Sequence, residues 1–340
     1  MSLDILKEDL KTNRIGKLYL FYGPEEYLKK YYADSIEEKL ISEDLKALNK
    51  VVLEGKTEIG RIIDNCETLP VFSDRKLVIV KNSGLFKPSK KAGDTAKKGK
   101  GGNEELAALL QDLPGHVCLI FYENEVDKRI KAVDAIKKNG LVVEFGYQKP
   151  DELVRWVIRR FKAAGKEMDM VTASQLVESS EQGMTELLNE AEKLMSYLGD
   201  RQKVTPQDID KVCTKSIKSR VFDLTDAIAE KDSSKALRVF NDMLVLKEPV
   251  PKILFMIARQ FRQILHVKLL HKEGSNTGEI ASQLSMTPYI AGKILKQAGS
   301  FSVDRLKKAM ETSLEFDIAV KTGKLEDVAA AEMLIIEFSK

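Results

Sequence analysis

Leu18-Tyr-Leu-Phe-Tyr-Gly-Pro-Glu-Glu-Tyr-Leu-Lys-Lys30 is the stretch on which the fold turns. A compact apolar run meets Gly23-Pro24 and passes into a helical pattern, so it reads as strand, turn and helix. That is where a phosphate-binding loop stands. An active loop reads GxxxxGK[ST]: its glycines let backbone N–H groups cradle phosphates, its lysine reaches the outer phosphates, and its hydroxyl holds Mg²⁺. Gly23 and Lys29 occupy their expected positions here. Leu28, however, replaces the second glycine, and Lys30 replaces the hydroxyl. Pro24 removes one N–H donor, and Glu25 and Glu26 would set negative charge against a phosphate. Gly23, Leu28, Lys29 and Lys30 thus form a degenerate, non-functional loop on an NTPase-like scaffold.

Working outward, apolar runs at 76–81, 117–122 and 141–145, with a further one at 50–53, read as strands. Helical patterns lie at about 25–40, 58–69, 103–112 and 126–138. Strands alternating with helices imply an α/β domain with a largely parallel sheet. An ATPase would be expected to end the 117–122 strand in adjacent acids. Here Glu123 and Glu125 are separated by Asn124, and both read as solvated loop acids. Residues 84–103 hold six lysines between Lys87 and Lys100 and almost nothing apolar. They read as a mobile surface loop.

After Pro150 the strand signals end. A helix opens at Asp151, read as its cap, and runs past Trp156 and Phe161 to Gly165. Helices at about 172–180, 184–198 and 206–213 complete a small helical domain, with Trp156 as its core anchor. From about 216 onward the pattern is also helical. Ile253, Leu254, Ile257, Phe261, Ile264, Leu265 and Leu269 keep helical spacing, while Arg259, Arg262 and Lys268 fall elsewhere on the same helix. Phe301 packs at a helix start capped by Ser302. The fold class is therefore α/β plus all-α, in three domains: 1–146, 147–214 and 215–340.

The chain has 340 residues, 43% hydrophobic and 31% charged, with a net charge of +3. So mild a balance leaves any basic surface local. Cys66, Cys118 and Cys213 lie far apart without a CxxC pair, which argues against a zinc site or a disulfide framework. His116, His266 and His271 have no metal-ligand spacing, and no nucleophile elbow is present. No catalytic residue, metal or cofactor is expected. No run approaches a membrane span, and MSLDILKEDL lacks the order of a signal peptide. The expected location is the cytoplasm.

One short segment calls for a partner. Glu67-Thr-Leu-Pro-Val-Phe72 closes a helix just before the 76–81 strand. Pro70 ends the helix, and Ser73-Asp74-Arg75 turns the chain. Val71 and Phe72 can either anchor in a partner's pocket or pack beneath the sheet. Residues 277–298, with apolar faces on either side of Ser285-Met-Thr-Pro288, have the outline of a helix-turn-helix in which Lys293 and Lys296 would meet phosphates. The turn lacks the frequent glycine and the second helix is poor in base-reading residues, so two packed helices explain the segment equally well.

LYLFYGPEEYL at 18–28, ETLPVFSDRKLVIVKN at 67–82 and LIFYENEVDKR at 119–129 resemble the delta subunits of bacterial DNA polymerase III clamp loaders. DELVRWVIRRF (151–161), TELLNEAEKLMSYLGD (185–200) and KSRVFDLTDAIAEKD (218–232) extend the resemblance along the chain. It implies a degenerate AAA+ P-loop-type domain, a small helical lid and a C-terminal helical collar that joins subunits into a ring. It implies as partners the sliding clamp, the tau/gamma ATPase subunits, delta-prime, and primer–template DNA held without sequence preference. A hydrophobic pair in this family wedges into the clamp; by alignment it is Val71-Phe72, with Leu69 in a neighbouring pocket and Glu67 beside them. The implied function is to bind and open the clamp during replication, with no ATP hydrolysis by the chain itself.

Overall fold

A computed structural model describes residues 2–87, 106 and 108–340. Two compact units divide the chain, Met1–Tyr147 and Gln148–Lys340.

The first unit is built on five parallel strands: β1 (Leu18–Tyr22), β2 (Lys50–Glu54), β3 (Lys76–Lys81), β4 (Val117–Glu123) and β5 (Leu141–Glu144). Their order is β2-β3-β4-β1-β5. β1 lies inside the sheet, pairing Leu20 with Phe121 on one side and with Val142 on the other. Both faces of the sheet are covered, which is why β1, β3 and β4 read as near-continuous apolar runs rather than alternating ones. Leu18, Leu20, Val78, Val80, Leu119 and Phe121 face the Ile59–Glu67 and Lys131–Asn139 helices. Tyr19, Phe21, Leu77, Ile79, Ile120 and Phe145 face the Ser2–Lys11 and Glu26–Leu40 helices. The result is a three-layer α/β/α sandwich.

Residues 84–87 correct part of the surface-loop expectation. Phe86 is fully buried and its ring meets Phe121 edge-on at 5.0 Å. An aromatic that fills a gap over β4 orders the chain that carries it. The remainder of the lysine-rich stretch, 88–103, lies outside the described residues.

The second unit is helical. The Pro150–Ala163, Met170–Ser179, Met184–Leu198 and Pro206–Val212 helices enclose one core around Phe161, Leu176, Leu187 and Leu194. Trp156 only half-enters this core from its edge, and the buried Phe161 is its aromatic anchor. Asp151 is not the cap: Lys149 is, because Pro150 takes the first helical position, where its missing N–H costs nothing. A second core is built from the Ile217–Ala229, Ser233–Val245, Val250–Lys272, Pro288–Gly299, Val303–Lys321 and Asp327–Phe338 helices. Ser216 marks the passage between them. Its N–H donates to the Ser179 carbonyl at 2.7 Å, and its hydroxyl caps the next helix by accepting from Ser219 N. The boundary expected near 214 is thus a change of core within one unit. Phe301 is buried against Phe261, with Ser302 capping the following helix as expected.

The helix-turn-helix outline resolves into the Thr277–Gln283 and Pro288–Gly299 helices, with Ser285 left-handed (φ 52) between them. Ile280, Ile290, Ala291 and Ile294 sink into the second core. Gln297 is buried as well; its amide donates to Asp226 at 2.8 Å and its oxygen accepts from Gln260 at 2.9 Å. Burial raises the Asp226 carboxyl above its ordinary range. Lys293 lies over the rings of Phe222 and Tyr289. Much of the second helix's surface is committed to packing.

Candidate functional site: two edges of one sheet

All strands run parallel, so the sheet has a carboxyl edge and an amino edge. The degenerate loop occupies the first. Gly23 takes φ +120, and a Cβ there would lie 2.3 Å from the Phe145 carbonyl oxygen, so only glycine fits. The backbone donors a phosphate would need are already used. Gly23 N donates to Asn124 O at 3.2 Å, Glu25 N to Phe145 O at 3.0 Å, and Glu26 N to Pro24 O at 3.1 Å.

The lysine of the motif has turned inward. Lys29 is fully buried, and its Nζ donates to Glu26 Oε1 (2.6 Å), Asn124 Oδ1 (3.0 Å) and the Glu123 carbonyl (3.1 Å). The same ammonium lies 4.7 Å from the centre of the Tyr122 ring. Tyr122 donates its hydroxyl to the other Glu26 oxygen at 2.8 Å; burial, then that carboxylate, pushes the phenol well above its usual range. Leu28 packs against the core on this side, and Lys30 points to solvent. The cation that would meet a nucleotide is neutralised by the chain's own groups.

Glu123 corrects the sequence reading. It is the last residue of β4 and fully buried, not a solvated loop acid, because β4 runs one residue further under the Ser83 turn. Its Oε1 accepts from both the N–H and the hydroxyl of Ser83, while Oε2 is buried with no partner among the described residues. Burial raises this carboxyl above its ordinary range. Glu125 is exposed as expected.

At the amino edge the arrangement is reversed. The Ile59–Glu67 helix stops at Thr68, and the next residues leave the body of the domain. Leu69 is 70% exposed, Val71 41% and Phe72 88%. Glu67 is exposed beside them. Phe72 takes a left-handed φ of 52, a conformation that costs a non-glycine residue about 1 kcal/mol and persists only where neighbours hold it.

Two residues that sequence reasoning missed do the holding. Asn49, fully buried just before β2, accepts from Val71 N at 2.7 Å and donates to Val71 O at 2.8 Å. Arg75, just before β3, donates to the carbonyls of Ile15 (2.8 Å) and Gly16 (2.7 Å). A Ser73 hydroxyl bond to Arg75 O closes the turn. Apolar side chains are thus displayed on a backbone pinned at both ends. An asparagine directly ahead of an apolar run was the available signal, but nothing local connected it to a residue 22 positions away.

The three cysteines are all buried, and burial pushes each thiol up to about 12. Among the described residues no His, Cys, Asp and Glu group could hold a metal, and no helix is long and apolar enough to cross a membrane.

A P-loop-derived α/β module with a self-filled nucleotide corner, followed by helices, is the architecture of a AAA+-like clamp-loader subunit. Two family models match: "DNA polymerase III, delta subunit" over residues 19–146 and "DNA polymerase III delta subunit, C-terminal domain" over 218–338. The chain belongs to the DNA polymerase III delta subunit family. It is 26% identical to Bacillus subtilis DNA polymerase III subunit delta over 344 residues, covering 100% of this chain and 97% of the relative. It is 23% identical to a probable DNA polymerase III subunit delta of Aquifex aeolicus, covering 76% and 73%. Among solved structures it matches the Bacillus subtilis DNA clamp loader delta protein with a TM-score of 0.53 and 25% identity, covering 100% and 99%.

Proposed function

We propose that this subunit binds the sliding clamp through the Leu69–Phe72 corner and holds the clamp's interface open, without hydrolysing ATP. The observation that carries this reading is Phe72: an aromatic 88% exposed, in a left-handed conformation, on a backbone fixed by Asn49. Left in water such a side chain gains nothing; in a partner's pocket it becomes an anchor. Val71 and Leu69 flank it, with Glu67 at the rim. Opening then requires no chemistry. A subunit that prefers the opened clamp to the closed one shifts that equilibrium by its differential affinity.

The carboxyl edge supports the non-catalytic half of the proposal. Lys29 is tied to Glu26, Asn124 and Glu123, and the loop's N–H groups are bonded internally. ATP would have to break this network to bind. The energy for loading comes on this reading from the ATPase tau/gamma subunits. The C-terminal helices would join them and delta-prime into a ring around primer–template DNA, in the cytoplasm.

The test is surface plasmon resonance against the sliding clamp of the same organism, comparing wild type with Phe72→Ala, with circular dichroism on both. Phe72→Ala should weaken binding by about 2–4 kcal/mol at unchanged fold. Absence of clamp binding by folded wild type would sink the proposal. Binding untouched by Phe72→Ala would move the contact elsewhere.

A further inference from the structure

The amino edge carries fixed charge as well as apolar surface. Residues 12–17, which lead into β1, stand on the same edge as the Leu69–Phe72 corner, which leads into β3. β4 lies between β1 and β3, so the openings of those two strands are about 10 Å apart at roughly 4.8 Å per strand. Arg75 bridges that gap. It closes the loop that holds the corner, and its guanidinium donates to the carbonyls of Ile15 at 2.8 Å, Gly16 at 2.7 Å and, at the start of β4, Val117 at 3.3 Å. One side chain thus holds the two loops in a fixed relation.

Arg14 and Lys17 flank the two carbonyls that Arg75 grips, and both are exposed. Their backbone is as fixed as that of the corner. Asn13 takes a left-handed φ of 57, Arg14 N donates to the Asp9 carbonyl at 2.8 Å, and Gly16 N donates to the Tyr19 hydroxyl at 2.7 Å. The Arg14 guanidinium bonds to none of the described residues, and Lys17 Nζ makes only a long bond of 3.5 Å to the Leu113 carbonyl. Residues 10–24 contain no aspartate or glutamate. Glu67, Asp74 and Asp112, exposed on the segments that precede β3 and β4, form an ion pair with neither base. The tie through Arg75 sets Arg14 and Lys17 apart from bases such as Lys30, which is exposed at the opposite edge. A phosphate backbone would suit two free bases, but it offers nothing to the Leu69, Val71 and Phe72 side chains displayed beside them. A protein whose apolar pocket is bordered by carboxylates suits both.

We propose that Arg14 and Lys17 face an acidic border of the clamp's pocket and steer the approach that seats Phe72. The proposal rests on the clamp-binding reading, and it adds a second contact and the charge of the surface that this contact meets. Charges at the rim of an interface act mainly on association, whereas a buried anchor acts mainly on dissociation.

The test is surface plasmon resonance of the full chain over the clamp of the same organism, resolved into association and dissociation, from about 50 to about 500 mM NaCl. For wild type the association rate constant should fall about tenfold over that range. Arg14→Glu/Lys17→Glu should lower it at least tenfold at the low-salt end and flatten its salt dependence, with dissociation changed by no more than about twofold. Arg14→Gln/Lys17→Gln, which removes the charges without reversing them, should shift it in the same direction by a smaller factor. Phe72→Ala should do the opposite, speeding dissociation and keeping the salt dependence. A carbodiimide, which joins an amine to a carboxylate without a spacer, should link the Lys17 peptide to an aspartate or glutamate of the clamp. An association rate unchanged in both double variants, or a clamp complex in which Lys17 gives no such link, would overturn the assignment and leave clamp binding standing. So would loss of duplex DNA binding by the double variants with clamp kinetics intact, since the two bases would then face phosphates. Failure of folded wild type to bind the clamp at any salt would remove the clamp-binding reading and this proposal together.

Discussion

The two edges of the sheet are built in opposite ways. In open α/β sheets ligands ordinarily bind beyond the carboxyl ends of the strands. Here the carboxyl edge is closed by the chain itself: Lys29, Glu26, Asn124 and Tyr122 satisfy one another in the place a nucleotide would take. The amino edge, by contrast, exposes Leu69, Val71 and Phe72 on a backbone fastened from within. The lesson is that a polar site and an apolar site are abandoned or built by different means. A phosphate cradle is lost once its donors find internal acceptors. An apolar side chain is displayed by denying it any internal neighbour while fixing the backbone beneath it.

That contrast is testable by exchanging readouts. Phe72→Ala should change binding and leave stability alone. Lys29→Met should do the reverse: it leaves the buried Glu123 carbonyl without its donor and returns the exposed Glu26 carboxylate and Asn124 amide oxygen to water. Stability should fall by about 2 kcal/mol in urea unfolding, while clamp affinity measured on the folded fraction stays at the wild-type value. A Lys29→Met protein of unchanged stability would show that the corner is open enough for water to replace the ammonium.

Asn49→Ala should stand between the two. It removes both bonds to Val71 but no part of the exposed surface. Stability should drop by about 1 kcal/mol, since the part-buried N–H and carbonyl of Val71 lose their partner. Clamp binding should weaken about tenfold, because Phe72 must then be ordered on binding rather than beforehand. If affinity is unaltered, the left-handed corner holds without Asn49, and Arg75 with the Ser73 turn is sufficient to fix it.

How much of this was legible in sequence follows from what each feature depends on. The parallel sheet was legible because strands buried on both faces must be apolar throughout, as Leu18–Tyr22 and Val117–Tyr122 are. The departure from the phosphate-loop motif was legible because single residues carry it: Leu28 and Lys30 stand where the motif has glycine and a hydroxyl. The filling of the empty site was not legible, because the direction of Lys29 is set by Asn124 and Glu123, far away along the chain. Phe72 was only half legible. Pro70 announces the end of a helix, but no residue type announces a left-handed phenylalanine, and whether it would be exposed or packed beneath the sheet rested on Asn49. Glu123 was misread outright, since Asn124 and Glu125 beside it look like loop, and only the register with Tyr22 extends the strand to include it.

Glu123 gives the finest distinction between the edges. Burial holds its carboxyl above the ordinary range, and its Oε2 has no partner among the described residues. A group whose folded pKa is raised contributes stability that is fully present below its unfolded value, about 4.3, and is lost as pH rises through the folded value. The ionised form is therefore the one the native state tolerates least. Glu123→Gln keeps an oxygen for the Ser83 N–H and hydroxyl but cannot ionise. Its stability relative to wild type should increase as pH climbs above the unfolded carboxylate range and level off once the folded group has ionised. Paired urea titrations from about pH 4 to about pH 8, which bracket the carboxylate range, resolve this. A difference independent of pH would mean that Glu123 titrates alike in both states and that the closed edge holds its charge as comfortably as water does.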